Sequence, residues 1–253
     1  MKASLQQEFD MLVEIKNLCK KYHAKANYAI SGINIVGNEG EIIGILGHNG
    51  AGKSTTIKCI TGMHPYEEGT IRIAGCDLAK NPIGAKQNFG YVSDEHILFE
   101  KMTGQEYVDF MGDIYGVPVR ARKERVKKFQ KMFQLGDSIH KPISSYSHGM
   151  KQKISLMGAL IHNPKVFILD EPMVGLDPYT ANAVRSFFKE HAANGNLVLF
   201  SSHNLDTVEK LCDRVYIIDQ GKILKEINMR EFKNTGRNFE SYFLAITRRV
   251  AKV

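Results

Sequence analysis

The chain has 253 residues, with 34 lysines and arginines against 27 aspartates and glutamates, and its formal net charge is +7. Its longest apolar stretches, such as EIIGIL and KVFIL, are far shorter than the ~18–20 residues that a membrane-spanning helix requires, and its first ten residues, MKASLQQEFD, lack the apolar core of a signal peptide. The four cysteines form no C-x-x-C pair, which excludes zinc-ribbon and thioredoxin-like sites and favours free thiols.

Local patterns then divide the chain into three regions. From Met11 to about Gly90, short β-type runs such as GTIRIAG are separated by glycine-containing turns. From about Glu100 to Ile161, apolar residues recur at three- and four-residue spacing, which predicts helices. From Lys165 onward, the strand-like runs KVFILD, NLVLFSS and VYIIDQGKILKEI alternate with helical patterns, one of them from about Pro178 to Ala193. This alternation indicates a mainly parallel sheet, and MREFKNTGRNFESYFLAITRR is typical of short helices that form a tail.

One predicted helix, RARKERVKKFQKMFQL, is strongly basic. A contact with nucleic acid or lipid is one interpretation of this charge, and a solvated helix face is the other. Val126, Phe129, Met132 and Phe133 supply an ordinary buried stripe, which favours the solvated face. We therefore expect no nucleic-acid partner.

The strongest motif is GHNGAGKS, from Gly47 to Ser54, which fits the phosphate-loop pattern G-x-x-x-x-G-K-[ST]. The strand-like run EIIGIL precedes it, and the helical run STTIKCITGM follows it. Glycines let backbone N–H groups turn toward phosphate oxygens, and the helix that begins near Gly52 adds its partial positive charge. We expect Lys53 to reach the β- and γ-phosphates and the Ser54 hydroxyl to ligate Mg²⁺. A glycine-rich turn without a ligand is the alternative.

A second motif is the apolar run KVFILDEP, which ends in two adjacent carboxylates. Asp170, at the end of this predicted strand, can hold the coordination shell of Mg²⁺. Glu171 is then placed to orient or deprotonate a water molecule that faces the γ-phosphate. A solvated strand end is the other interpretation, because apolar strands that end in D-E are common, but the phosphate loop upstream favours the catalytic one.

Four motifs follow one another along the chain: GHNGAGKS, YSHGMKQK, ILDEPMVGLDP and SSH. In that order and spacing, from about Met11 to Ile227, the chain resembles the nucleotide-binding subunit of an ATP-binding cassette (ABC) transporter. YSHGM is the specific part of the resemblance, because a signature between the phosphate loop and ILDEP is peculiar to that family. The chain looks most similar to bacterial ATPase subunits that pair with separately encoded export permeases, and its closing NFESYFLAIT resembles the tail of that group.

The resemblance implies a role for each residue that matches a family motif. Tyr22 is then the aromatic side chain that stacks on adenine, and His203 is the switch histidine that contacts the γ-phosphate and the attacking water. Ser147 and Gly149 match the signature, at a helix N-terminus that can bind a γ-phosphate. Simple capping of that helix by Ser147 is compatible with this role. Asp177, in VGLDP, resembles the loop that couples two active sites across a dimer.

Two motifs depart from the family pattern. The signature reads YSHGM where the family usually has LSGGQ, so His148 replaces a glycine and could either face the γ-phosphate or merely fill space. In GYVSDE, Asp94 stands where the family usually has glutamine. An aspartate can still ligate Mg²⁺ or position water, but when ionised it cannot donate a hydrogen bond. The contact with the permease that follows this loop is expected around His96 to Met102.

The predicted site residues fall into three sets, and the implied cofactors are ATP and Mg²⁺. The catalytic set is Lys53, Glu171 and His203. The ATP-binding set is Tyr22, Gly47, His48, Asn49, Gly50, Ala51, Gly52, Lys53, Ser54, Thr55, Asp94, Ser147 and Gly149. The metal set is Ser54, Asp94 and Asp170.

The implied fold is a P-loop NTPase of α/β class, with a RecA-like, mainly parallel core sheet, an N-terminal antiparallel β subdomain and a helical subdomain. We expect an ABC ATP-binding domain at residues 11–228, its helical subdomain at about 95–162, and a C-terminal helical tail at 229–253. The implied function is ATP hydrolysis that powers a transporter, and the subfamily resemblance favours an exporter. ATP would drive pairing with a second copy or a similar subunit, coupled to integral-membrane permease subunits. The expected location is cytoplasmic, on the inner face of the cell membrane.

Two other functions fit fewer of these motifs. A soluble ABC-type ATPase switch without a permease, as in DNA repair or translation, is the first alternative. Proteins of that kind carry very long coiled-coil insertions or two cassettes in one chain, and the sequence has neither feature. A P-loop kinase that phosphorylates a small molecule is the second alternative, and it would leave YSHGM and SSH unexplained.

Overall fold

A computed structural model describes residues 11–23, 26–95 and 97–250, with the backbone alone for 248–250. The expectations about MKASLQQEFD, about His96 and about residues 251–253 of the tail therefore concern positions outside the described residues. Within them, no helix is long and apolar enough to cross a membrane. The four cysteines are free thiols, as predicted.

The strands of the described chain pair into two sheets. In chain order they are β1 (Met11–Lys20), β2 (Ile30–Asn38), β3 (Ile42–Leu46), β4 (Glu68–Ile73), β5 (Cys76–Asp77), β6 (Phe89–Val92), β7 (Val166–Asp170), β8 (Leu197–Ser202), β9 (Arg214–Asp219) and β10 (Lys222–Asn228). The first sheet has the order β2-β1-β4-β5 and is antiparallel throughout. In β2, the buried Ile33 and Ile35 flank the exposed Asn34, the alternation of a sheet that is packed on one face.

The second sheet has six strands in the order β10-β9-β3-β8-β7-β6. All its pairs are parallel except β10 with β9, which confirms the predicted mainly parallel sheet. Every residue of β3, β7 and β8 is buried, because both faces of these central strands are covered. The register pairs Leu46 with Ser202 and Asp170 with Ser201. The phosphate loop, the two carboxylates and SSH therefore leave the sheet at one edge, where open α/β sheets bind their ligands.

The helices connect the strands and cover the sheets. In chain order they are α1 (Lys53–Ile60), α2 (Pro82–Gln87), α3 (Gly104–Ile114), α4 (Val119–Met132), α5 (His148–Leu160), α6 (Pro178–Ala193), α7 (Leu205–Leu211), α8 (Met229–Asn234) and α9 (Phe239–Val250). Between α4 and α5 lie two 3₁₀ turns, Gly136–His140 and Ile143–Ser145. The helix predicted from Pro178 to Ala193 is confirmed at both ends.

Of the predicted apolar stripe, Val126 and Phe129 on α4 and Phe133 just after it are buried, and Met132 is partly buried. The cations of this basic helix are not all on the solvated face, however. Arg122 is buried, and its guanidinium lies 2.5 Å from a carboxylate oxygen of Asp113 on α3. A buried charge requires a partner of opposite sign, so one arginine of this run joins two helices inside the protein.

Candidate active site

The phosphate loop joins β3 to α1 through two glycines that no other residue could replace without a shift. A Cβ on Gly47 would lie 2.4 Å from the carbonyl oxygen of Ile218. Gly52 has φ 108°, and a Cβ there would lie 2.9 Å from Ile30 Cγ2. Gly52 is also the N-cap of α1 and has no side-chain oxygen to cap the helix. The first N–H groups of α1 are therefore left for an anion.

Lys53 is buried and is held by the loop that it serves. Its ammonium donates hydrogen bonds to the carbonyl oxygens of Gly47 (2.9 Å) and His48 (3.2 Å). The same nitrogen lies 3.4 Å from Glu171 Oε1. The loop carbonyls thus fix a cation at the mouth of the loop, at the position where the motif predicts phosphate oxygens.

Asp170 is fully buried at the end of β7, and its two carboxylate oxygens differ in their contacts. The hydroxyl of Ser201 donates to Oδ1, whereas the buried Oδ2 has no hydrogen-bond partner among the described residues. Burial raises the pKa of Asp170, and the nearby hydroxyls of Ser201 and Ser54 partly oppose that rise. A carboxylate oxygen left open beside a serine hydroxyl suits a hard divalent cation such as Mg²⁺.

The wider surroundings also fit Mg²⁺. Among the residues that the structure describes, no three His, Cys, Asp or Glu side chains are grouped to hold a metal ion. Mg²⁺ does not need such a group, because it usually binds through one or two carboxylates together with water and substrate phosphates. Asp170 and Ser54 would therefore hold the ion only in combination with a nucleotide.

Glu171 lies between the lysine of the phosphate loop and a histidine. Its Oε1 is 2.9 Å from His203 Nδ1 and 3.4 Å from Lys53 Nζ. Its backbone has φ 49°, a left-handed conformation that non-glycine residues seldom adopt and that is often found at functional sites. The N–H group of Glu171 donates to Ser201 Oγ at 3.0 Å, which helps to hold this conformation.

Lys53 and Glu171 face one cleft of about 360 Å³. Its lining is formed by Tyr22, Ala29, Asn49, Gly50, Gly52, Lys53, Ser54, Thr55, Asp94 and Glu171. At one side, the hydroxyl of Tyr22 lies 2.9 Å from Thr55 Oγ1, and the tyrosine is 52% exposed. An exposed aromatic ring anchored beside a phosphate loop is available to stack on a base. The structure thus brings together most of the predicted phosphate, metal and base contacts.

Three residues at this edge escaped the sequence-based prediction. Ala29 lines the cleft, Ser201 bonds to Asp170, and Asp219 bonds to the side chain of His48 at 2.5 Å. A hydroxyl just after an apolar strand, in FSSH, was the available signal for Ser201. Ala51 is buried, and its carbonyl accepts a hydrogen bond from Gly221 N at 2.9 Å.

The signature residues are not part of this cleft. Ser147 caps α5 by accepting a hydrogen bond from Met150 N at 3.3 Å, as predicted. The described residues that line the cleft include neither Ser147 nor Gly149. The ring of His148 packs over Gly175, where a Cβ would lie 2.3 Å from its Cδ2. The imidazole of His148 therefore contacts the loop that follows β7.

Helix α5 is tied to that loop at two further points. The side-chain amide of Gln152 donates to the carbonyl of Pro172 at 3.0 Å, and Lys153 lies 3.5 Å from Asp177. Asp177 is also the N-cap of α6, accepting a hydrogen bond from Thr180 N at 2.9 Å. Hydrogen bonds from Thr180, followed by the charge of Lys153, lower the pKa of Asp177 to about 2. The signature helix and the segment after Glu171 thus form one packed unit.

A glycine-rich loop before a helix, a buried carboxylate on a neighbouring strand and an adjacent Glu–His pair define a P-loop protein that hydrolyses nucleoside triphosphates. The family model described as ABC transporter matches residues 30–174. The chain belongs to this family, as an ATP-binding subunit with ATPase activity.

Individual proteins agree with this assignment. The chain is 37% identical to the linearmycin resistance ATP-binding protein LnrL of Bacillus subtilis over 213 residues, 84% of this chain and 68% of that protein. It is 31% identical to the methionine import ATP-binding protein MetN of Clostridium acetobutylicum over 220 residues, 85% and 68% of the two chains. A solved ATP-binding subunit of an ABC transporter has a TM-score of 0.87 and 31% identity, covering 93% of this chain and 99% of its own. The predicted fold class is confirmed.

Proposed function

We propose that this chain powers an exporter by ATP-driven pairing with a second copy or a similar subunit, coupled to integral-membrane permease subunits. The observation that carries this proposal is the separation of the two half-sites. The cleft holds the phosphate loop, whereas the signature residues Ser147 and Gly149 stand apart from it. In a head-to-tail pair, each ATP would lie between the phosphate loop of one chain and the signature of the other.

Within each site, different side chains act on the phosphates, the metal ion and the attacking water. Lys53 neutralises the β- and γ-phosphates, exchanging the carbonyls of Gly47 and His48 for phosphate oxygens. Ser54 and Asp170 would hold Mg²⁺, with Asp94 at the cleft wall as a further oxygen donor. The ion would supply positive charge where charge develops on the phosphates. Glu171 orients and deprotonates the attacking water, and His203 holds its carboxylate while contacting the γ-phosphate.

The proposed division of the chain follows the same scheme. The ABC ATP-binding domain comprises residues 11–228, its helical subdomain about 95–162, and the tail 229–253. Support comes from the order of elements, since the helices α3, α4 and α5 all lie between strands β6 and β7. Helices α8 and α9 follow the last strand of the core sheet.

The proposed permease contact lies directly after the Asp94 loop. Two apolar side chains there are exposed, Ile97 by 74% and Phe99 by 53%. Adjacent exposed apolar groups favour a surface that a partner covers. We place this surface against a permease on the cytoplasmic side, with the chain peripheral to the inner face of the cell membrane.

Export is favoured over import by the relatives. The 37% identical relative is named for linearmycin resistance, and the import protein MetN is 31% identical. Removal of a toxic compound from the cell is the simplest way in which a transporter subunit confers resistance. Linearmycin is therefore the first compound to use as a probe of export.

Permease coupling is tested with an Ile97→Asp, Phe99→Ser double variant expressed as the full chain in its native host. We expect the variant to leave the membrane fraction while the purified protein keeps its ATPase activity. The matched control is Ile83→Asp, since Ile83 on α2 is 71% exposed but lies on another segment. A wild-type chain that is absent from the membrane fraction would overturn the coupling and favour the soluble ATPase switch.

Export is tested by growth of the host with linearmycin. Cells that carry the wild-type gene should tolerate more of the compound than cells with Glu171→Gln, and should retain less of it after preloading. The same assay is repeated with bacitracin, because a further relative is a bacitracin transport protein. Equal retention of a compound in both strains would contradict its export. Faster ATP-dependent uptake by the wild-type strain would instead indicate import.

A further inference from the structure

The side chain of His48, the second residue of the phosphate loop, lies beside two hydrogen-bond acceptors. Its Nε2 lies 2.5 Å from Asp219 Oδ1, at the end of β9. Its Nδ1 lies 2.6 Å from the backbone carbonyl oxygen of Asn49, the next residue of the loop. Both distances are those of short hydrogen bonds, which are typical when one partner is charged.

Only one protonation state of His48 satisfies this arrangement. A carboxylate oxygen and a carbonyl oxygen can each accept a hydrogen bond but cannot donate one. Neutral imidazole has a single N–H group, so it can donate to only one of Asp219 and Asn49. The imidazolium ion has two N–H groups and donates to both. The geometry therefore selects the positively charged form.

The surroundings of His48 raise its pKa on balance, which also favours the charged form. The hydrogen bonds to the Asn49 carbonyl and to the Asp219 carboxylate raise the pKa of His48, while partial burial and the positive charge of Lys53 oppose the rise. Asp219, on β9, is itself buried. A buried carboxylate requires a cation or donor beside it, and His48 is the cation that the structure provides.

The turn between β9 and β10 also contacts the phosphate loop through backbone atoms. Gly221 N, in the turn between β9 and β10, donates to the carbonyl of Ala51 at 2.9 Å. The carbonyl of Ile218 lies so close to Gly47 that no Cβ would fit between them. Within this set of contacts, the His48–Asp219 pair is the side-chain link, and it depends on protonation.

We propose that His48 is a positioning residue that, as an imidazolium ion bonded to Asp219 and Asn49, holds the phosphate loop in its nucleotide-binding form and couples nucleotide affinity to protonation. The inference rests on the proposed nucleotide site at this loop. When His48 loses its proton, the loop loses one of two hydrogen bonds. The pair also changes from net neutral to net negative beside the site of an anionic polyphosphate.

The direction of the effect follows from linkage. A bound polyphosphate attracts the imidazolium, so nucleotide binding raises the pKa of His48 further and takes up protons near that pKa. Affinity is therefore highest at low pH and falls as pH rises through the pKa of His48. Loss of one charge-assisted hydrogen bond corresponds to a weakening of about threefold to tenfold.

The test measures binding of ADP with Mg²⁺ to the purified full chain, since ADP avoids hydrolysis during titration. From pH of about 6 to about 9, where histidine titrates, the Kd of the wild type should rise about threefold to tenfold. His48→Gln, which can donate to Asp219 but cannot be charged, should give a flat profile. His140→Gln makes the same change at an exposed histidine outside the site and should follow the wild type.

A second measurement separates this role from a merely structural one. Titration calorimetry in two buffers of different ionisation enthalpy should show proton uptake by the wild type and by His140→Gln, but not by His48→Gln. Asp219→Asn keeps an acceptor without the charge, so the pH midpoint should move to lower pH. This variant also serves if His48→Gln fails to fold.

Two failures can be told apart. Equal pH profiles and equal proton uptake in the wild type and His48→Gln, with both binding ADP, would overturn this inference alone. A wild-type chain that binds no nucleotide at any pH, as expected only of Lys53→Ala, would overturn the proposed site and this inference with it.

Discussion

Two helix N-termini in this molecule, those of α1 and α5, are built differently. Helix α1 begins after Gly52, which offers no side chain as a cap, inside a cleft that also holds Lys53 and Glu171. Helix α5 begins after Ser147, whose hydroxyl already accepts a hydrogen bond from Met150 N. The first is an anion site assembled within one chain. The second is a capped helix end, which in the proposed head-to-tail pair would contact a phosphate bound by the other chain.

The cations near the two helices differ in the same sense. Lys53 of α1 lies at the cleft, where a phosphate can displace Glu171 from it. On α5, Lys151 is paired with Glu100 at 2.6 Å and Lys153 with Asp177 at 3.5 Å. In the proposed pair, we therefore expect the signature to bind phosphate through backbone amides and the helix dipole rather than through these two lysines. This asymmetry predicts that damage to the two ends has different consequences.

The largest effect is expected at the assembled site. Lys53→Ala should abolish both nucleotide binding and hydrolysis. Glu171→Gln should lower kcat by about 10²- to 10⁴-fold, the range typical of losing a general base, while ATP still binds. Steady-state phosphate release and equilibrium ATP binding measure the two quantities separately. Unchanged hydrolysis in both variants would contradict the assignment of these residues.

The signature is expected to come next in size. Ser147→Arg places a long charged side chain at the start of α5 and should lower hydrolysis by about 10²-fold, as loss of transition-state donors does. ADP affinity of the separate chain should not change. Mixing Ser147→Arg with Lys53→Ala chains should restore part of the activity, because one intact composite site then forms. No recovery in the mixture would argue against head-to-tail pairing; thermal melting serves as the folding control.

The phosphate loop and the Asp170–Glu171 pair could be predicted because their information is local. Each is a short motif whose flanking strand and helix are visible in the sequence. The role of Ser147 as a helix cap was predictable for the same reason. The structure places these motifs at one edge of the sheet because parallel strands end together, as their alternation with helices had indicated.

The contacts that escaped prediction depend on register between distant segments. The bond from Ser201 to Asp170 requires β7 to pair with β8 in one alignment, and Asp219 reaches His48 only because β9 lies beside β3. No local pattern specifies either alignment. The cap formed by Asp177 is different, because Asp-Pro before a helical pattern is a local signal for it.

A moderate effect is expected where the two regions are joined. Asp177→Ala removes the cap of α6 and the partner of Lys153, so Tm at neutral pH should fall by a few degrees. The pKa of Asp177 is lowered to about 2 in the folded protein. Its contribution to the free energy of unfolding is therefore fully present above the pKa of the unfolded chain and is lost as pH falls toward about 2. Melting curves of the two proteins should therefore converge in acid. Thr180→Val, which removes one donor to the same carboxylate, should show a smaller difference with the same pH dependence.

The smallest effect is expected at His148. Its ring packs on Gly175, so His148→Gly, which restores the residue usual in the family, should change kcat by less than about twofold, with a slight loss of stability from the added glycine. The assay is hydrolysis at saturating ATP, compared with His140→Gly as a substitution of the same type elsewhere. A loss of tenfold or more in His148→Gly alone would mean that the imidazole acts on the γ-phosphate. The N-terminus of α5 would then supply a side chain to the phosphate, as that of α1 does. The two helix N-termini would differ only in their N-cap residues, Gly52 and Ser147.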